Sequence, residues 1–265
     1  GWYFLTPGLG DLESTTPQLT ALMQLRQEEA EAAVRRGQAP GAEGSCEGIR
    51  NDLPTCRKQL PVPLGDIAEP MREATVLAVD TLFNARQSAD WSMMRMTAGY
   101  PRAAFEFGNS VDRSDLFAVI PQVPNKMDVI GRSGSLTQRL AQVLFYPPDD
   151  GLFRKAREIT VSNRIAKKLT KDRILELYLN TAEFGPGLYG VEAAAQAYFN
   201  VSAKALNRAQ AATLAATLAT PRTSNPRTEP AAMRRRQALI LRRLNGEAVA
   251  IPSDIASGDS ASRAP

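Results

Sequence analysis

The sequence predicts a mainly α-helical protein. Ala, Leu and Arg dominate its second half, and aromatic and β-branched residues are sparse outside residues 74–145, a balance that favours helix over strand. Eighteen prolines and eighteen glycines fit long connections between helices. The 265 residues suit one large domain, or a domain with small additions, and an apolar content of 43% is enough for a sizeable core.

The elements follow in order. Thr16-Pro17 reads as an N-cap followed by proline at the first helical position, predicting a helix to about Arg36 that Gly37–Gly44 ends. Residues 37–66 read as a loop. Ala68–Phe83 reads as a helix with Met71, Val76, Leu77 and Phe83 turned inward. Gly99, Pro101, Gly108, Pro121, Pro124 and Gly131 break residues 99–130 into irregular structure. Helical spacing then returns over Ser135–Phe145, Leu152–Lys168, Lys171–Asn180, Val191–Phe199, Asn207–Ala219 and Glu229–Leu244. Asn207 with Gln210 has the form of a capping box. The Ser-, Ala-, Asp- and Pro-rich tail, 246–265, reads as disordered.

Composition excludes several chemistries. There is no histidine, which rules out Ser-His-Asp triads and histidine-based zinc sites. Cys46 and Cys56 are too few for a four-ligand metal site. Their spacing suits a disulfide closing a short loop in an oxidising compartment, with two free thiols as the alternative. The net charge of +4 is clustered. Arg154, Lys155, Arg157, Arg164, Lys167, Lys168, Lys171 and Arg173 face only Glu158 and Asp172 between residues 153 and 173. Such a run suits phosphate, nucleic acid or anionic lipid, or else is a solvated helix face. The few aromatics show no stacking pattern, which argues against nucleic acid. No run reaches the roughly 18 apolar residues of a membrane span, but Trp2-Tyr3-Phe4-Leu5 suits a membrane interface just after an anchor helix.

Gly185-Pro186-Gly187-Leu188-Tyr189-Gly190 matches the dinucleotide-binding pattern G-x-G-x-x-G. That fingerprint must follow a buried strand, whereas Ile174–Asn180 has helical spacing. The glycines are therefore expected to form a tight turn between helices.

Lys171-Asp172-Arg173-Ile174-Leu175-Glu176-Leu177-Tyr178-Leu179-Asn180-Thr181-Ala182-Glu183-Phe184-Gly185 resembles the fourth motif of the peptidoglycan glycosyltransferases (glycosyltransferase family 51), and Ala182–Gly187 resembles the monofunctional branch. The likeness continues from Gly190 to Phe199. Ser135-Leu136-Thr137-Gln138-Arg139-Leu140-Ala141 is similar to the second motif, Arg154-Lys155-Ala156-Arg157-Glu158 to the start of the third, and Arg234-Arg235-Arg236 with Leu239–Leu241 to the weak fifth. The resemblance covers roughly residues 66–245. It divides the chain into a membrane-proximal extension (1–65) holding a helix and the cysteine loop, a glycosyltransferase-like domain (66–245) and the tail (246–265).

The resemblance implies a lysozyme-like main lobe with a smaller, irregular, membrane-proximal lobe, on the periplasmic face of a bacterial inner membrane. It implies as ligand a lipid-linked glycan precursor or other anionic lipid, as partners the membrane surface and cell-wall synthase or divisome proteins, and no nucleic acid. Ser135, Thr137, Gln138, Arg154, Lys155 and Arg164 are carried over as substrate-binding positions around a leaving pyrophosphate. Glu158, Glu176, Tyr178, Asn180, Glu183 and Gly185 are carried over as motif positions; for Glu176, Asn180 and Glu183, helix packing and turn capping is the competing role.

The chain departs from the family where the chemistry is. The first motif, E-D-x-x-F-x-x-H, corresponds to Val79-Asp80-Thr81-Leu82-Phe83-Asn84-Ala85-Arg86. The glutamate that closes the third motif corresponds to Ala166, and its neighbours Ile165 and Lys167 supply no carboxylate. Both catalytic glutamate positions are thus apolar. Glycan extension needs a base for the attacking hydroxyl and cations or a divalent metal for the leaving pyrophosphate. The residues keep parts of the second and lack the first. This predicts a catalytically degenerate protein with no cofactor, against an active, divergent polymerase using Asp80, Glu106 or Asp112 and, if active, a divalent cation. A lysozyme-like hydrolase also needs a positioned carboxylic acid and meets the same objection.

Overall fold

The computed structural model describes residues 9–37, 57–81, 83–84, 109–111, 114–115, 135–146 and 152–249; within these, the side chains of 152–156 and 159 are not described. The fold is mainly α, as the sequence predicts. Its helices are α1 (Ala21–Arg35), α2 (Glu69–Val79), α3 (Leu136–Phe145), α4 (Leu152–Lys168), α5 (Lys171–Thr181), α6 (Val191–Phe199), α7 (Arg208–Thr217) and α8 (Ala231–Leu244). Three short strands, β1 (Lys58–Gln59), β2 (Glu183–Gly185) and β3 (Leu188–Tyr189), form a sheet in the order β1-β3-β2.

Two helical layers share one core. α2 packs on α7 and α8, while α3 packs on α4, α5 and α1. α5 is largely buried: Ile174, Leu175, Leu177, Tyr178 and Leu179 form a broad apolar face, while Asp172 at its start is exposed. Its start is set by Thr170, whose side chain accepts the Arg173 N–H.

Local sequence explains most boundaries. α3 opens with a capping box: Ser135 Oγ accepts from Gln138 N, and Gln138 Oε1 accepts from Ser135 N. Asn207 and Gln210 do the same for α7. α1 begins four residues later than Thr16-Pro17 predicts, because Thr20 is the capping residue and accepts the Met23 N–H at 3.3 Å. α2 stops at Val79 rather than Phe83. Asp80 leaves the helix at φ −159°, and its carboxylate reaches the first turn of α3.

The G-x-G-x-x-G stretch is not a simple turn between helices. β2 and β3 form an antiparallel hairpin, and β1 adds in parallel along β3. The sequence gives little sign of this sheet, since its strands are only two or three residues long. A side chain at Gly185 would collide with the Tyr198 hydroxyl, which donates to Phe184 O at 2.8 Å. Gly190, at φ +84°, has the carbonyl oxygen of Asn180 only 2.8 Å from where a Cβ would stand. Only glycine fits both positions without displacing a neighbour.

The N-terminal segment is part of the same body. Leu9 and Leu12 join the core, Leu12 O accepts from Arg173 Nε at 2.7 Å, and Pro17 O accepts from Gln59 Nε2 at 3.1 Å. Among the described residues, no helix is long and apolar enough to cross a membrane.

Candidate functional site

The two positions without glutamates lie on α2 and α4, with α3 between them. Val79 ends α2 and packs, half-buried, against the core. The next residue, Asp80, is buried, and its Oδ2 accepts the backbone N–H of Leu136 at 3.1 Å. This carboxylate sits at the positive end of α3, where an acidic side chain is favoured. With Asp80 and the capping box together, the amides of Ser135, Leu136 and Gln138 are all engaged. Ser135, Thr137 and Gln138 are buried, so the second motif builds the opening of α3.

α3 then packs along α4, which carries Ala166. Ala166 is half-buried; Ile165 lies in the core and Lys167 is exposed, so a one-residue shift brings no carboxylate to this position. Glu158, two turns earlier, is completely buried.

The continuous helix from Leu152 to Lys168 separates the expected cations. At about 100° per residue, Lys155 and Ala166 fall on one flank of α4, and Arg164 falls about 180° from Lys155. Arg154 lies between the two. By helical phase the three positions do not share one face of α4. The side chains of Arg154 and Lys155 lie outside those described, as do Glu106, Asp112, Cys46 and Cys56.

The fourth motif acts as a clamp on the chain segment before α2. Asn180 Oδ1 accepts from Val62 N at 2.9 Å, and Asn180 Nδ2 donates to Val62 O at 2.8 Å, so one side-chain amide replaces a strand partner. One turn earlier, Glu176 Oε2 accepts from Leu64 N at 2.8 Å while Arg173 engages its other oxygen. Tyr178 is buried, and burial raises its phenol above the usual range despite nearby Arg139. Lys171 stands 4.5 Å above the ring of buried Phe83, which ties the first motif to the start of the fourth.

Glu183 has a partner that the sequence did not disclose. Its Oε2 accepts from Arg26 Nε on α1 at 3.3 Å, and Arg26 also pairs with Glu29 at 2.9 Å. Arg222 reaches the same Glu29 at 3.1 Å. Burial raises the Glu183 carboxyl above its ordinary range, with Arg26 and Arg222 pulling the other way. Its Oε1 is buried without a hydrogen-bond partner among the described residues. Burial likewise raises the neighbouring Tyr189 phenol, with Glu183 adding to it, and pushes Tyr198 up to about 12.

Among the described residues, no group of three or more Cys, Asp or Glu side chains is placed to hold a metal ion.

A helical body of this layout, with the fourth motif at its centre, defines a glycosyltransferase-type domain. Residues 49–245 match the transglycosylase family, and the chain belongs to that family. It is 30% identical over 214 residues to a biosynthetic peptidoglycan transglycosylase of Janthinobacterium sp. (strain Marseille), covering 78% of this chain and 83% of that protein. The protein of the same description from Bordetella pertussis is 33% identical over 210 residues, covering 76% and 79%. That of Vibrio parahaemolyticus is 46% identical over a shorter stretch of 111 residues, 42% of this chain and 49% of that one.

Proposed function

We propose that this chain is a catalytically degenerate peptidoglycan transglycosylase, which binds a lipid-linked glycan precursor or a cell-wall synthesis partner at the periplasmic face of the inner membrane without extending glycan. Family membership supports the ligand class. The observation that carries the loss of catalysis is the pair of apolar residues, Val79 and Ala166, where the family resemblance places glutamates, together with the use of Asp80 in the opening of α3. Neither apolar side chain can take a proton from an attacking hydroxyl. Loss of a general base costs about 10²–10⁴ in rate.

Lys155, on the same flank of α4 as Ala166, is the cation of the set that best suits a pyrophosphate on that side. Lys155→Ala is expected to weaken binding of a lipid-pyrophosphate analogue, and added salt to weaken it in the unmodified protein. The competing reading, an active enzyme with a relocated carboxylate, falls to Glu106 and Asp112, since Asp80 is engaged elsewhere. Precursor binding measured in detergent, beside glycan formation from the same labelled precursor, separates the two readings. Binding without polymer supports degeneracy. Polymer that disappears in Glu106→Gln or Asp112→Asn supports the alternative.

A further inference from the structure

We propose that α1 beyond its first turn is a releasable strap, held to the body by the ion chain Glu183–Arg26–Glu29–Arg222 and able to lift while the rest of the domain stays folded.

Leu22, Arg26, Glu29 and Ala33 follow one another at steps of four, three and four residues, which places them within about 60° on one face of α1. Leu22 is buried, as is Met23 beside it, and no later residue of α1 is buried. The stripe that turns toward the body therefore starts apolar and continues as two charges and a small side chain. Little burial holds the helix after its first turn, which is the condition for local opening. The first turn itself is fixed. Thr20 is buried and caps it, and the chain before it is seated through Leu9 and Leu12 in the core.

Ions take over where the apolar contacts stop. Arg26 donates to Glu183 at 3.3 Å and pairs with Glu29 at 2.9 Å, and Glu29 accepts from Arg222 at 3.1 Å. The chain thus ties α1 to the β2–β3 hairpin and to the turn that follows α7. Glu29 and Arg222 are each 41% exposed, so the outer link is weak and screened by salt. The other bonds, Gln27 to Glu31 and Arg35 to Glu31, run within α1 and support the helix without tying it down. α1 lies outside residues 49–245, whereas Glu183 and its strand partner Tyr189 continue the fourth motif. Lifting the strap bares that hairpin.

The test is native-state hydrogen exchange of the purified chain in low urea, read by mass spectrometry on residues 26–36, on 219–229 and on α5. The strap is expected to exchange faster than α5 with little dependence on urea, as local opening does, and α5 to follow global unfolding. Added salt should speed the strap. R26A should speed it about tenfold or more, because a part-buried pair is lost. E29Q and R222Q should each speed it about two- to fivefold, as expected for an exposed pair, and E29Q should also speed 219–229. R35Q, which removes only a pair within α1, should leave the strap as in the wild type. E29Q and R222Q change exposed side chains, so they report even where R26A does not fold. The proposal is overturned if the strap matches α5 in rate and in urea dependence, if R26A leaves its exchange unchanged, or if E29Q and R222Q alter neither segment.

Discussion

The carboxylate of Asp80 accepts the backbone N–H of Leu136 at 3.1 Å, joining the end of the first motif to the beginning of the second. Asp80, beside Val79, thus ties the end of α2 to the start of α3. Asp80→Ala is expected to destabilise the fold by about 1–3 kcal/mol, because a buried amide at the start of α3 loses its partner. Urea unfolding measures this. A change within about 0.5 kcal/mol would show that α3 opens without Asp80.

Arg26 and Glu183 form a long-range pair in which the carboxylate is the more buried member. Arg26→Ala should cost about 1–3 kcal/mol, because it leaves the buried Glu183 carboxyl without its arginine partner. Glu183→Gln should cost less, since it removes the charge whose burial is unfavourable. The stability of the double variant in a mutant cycle reads the coupling directly.

The same pair predicts a pH dependence with a definite sign. Burial raises the Glu183 carboxyl, so the folded chain holds that proton more tightly than the unfolded chain. Its contribution to stability is fully present below the unfolded carboxylate range and is lost as pH rises through the raised folded value. Removing Arg26 raises that value further. The deficit of Arg26→Ala relative to the wild type should therefore be small in acid and grow toward neutral pH. Unfolding free energies measured between pH 4 and 8 check the trend, and a deficit largest in acid would contradict it.

The two close approaches in the hairpin differ in what can give way. Gly190→Ala meets the Asn180 backbone at positive φ and should cost about 3 kcal/mol, with no single side-chain change to relieve it. Gly185→Ala meets the hydroxyl of Tyr198, so adding Tyr198→Phe should recover part of its loss. Thermal unfolding of the three variants tests this. Failure of Tyr198→Phe to improve Gly185→Ala would place the obstruction elsewhere.

Much of this fold can be read from the chain because its helices carry their own signals. Asn207 with Gln210 announces α7, and the bounds predicted for α4 and α6 agree with the structure. The strands escape detection because two or three residues show no periodicity. The premature end of α2 depends on a hydrogen bond to a residue 56 positions away, and no local propensity encodes that. The site was legible only in part. Val79 and Ala166 stand out against the motifs that the chain resembles, yet the bond between Arg26 and Glu183 spans 157 positions and joins a helix outside the family match to a residue inside it. The separation of Lys155 from Arg164 follows from helical phase once α4 is known to be continuous.

Glycan-chain formation separates a degenerate chain from an active one most directly. Purified protein is incubated with labelled lipid-linked disaccharide beside a competent transglycosylase, and polymer is resolved by length. No polymer is expected from this chain. Val79→Glu with Ala166→Glu is the fair attempt at restoration, since catalytic groups that act together are not additive. Clear polymer from the unmodified chain, abolished by changing Glu106 or Asp112, would contradict degeneracy and show that a relocated carboxylate does the work.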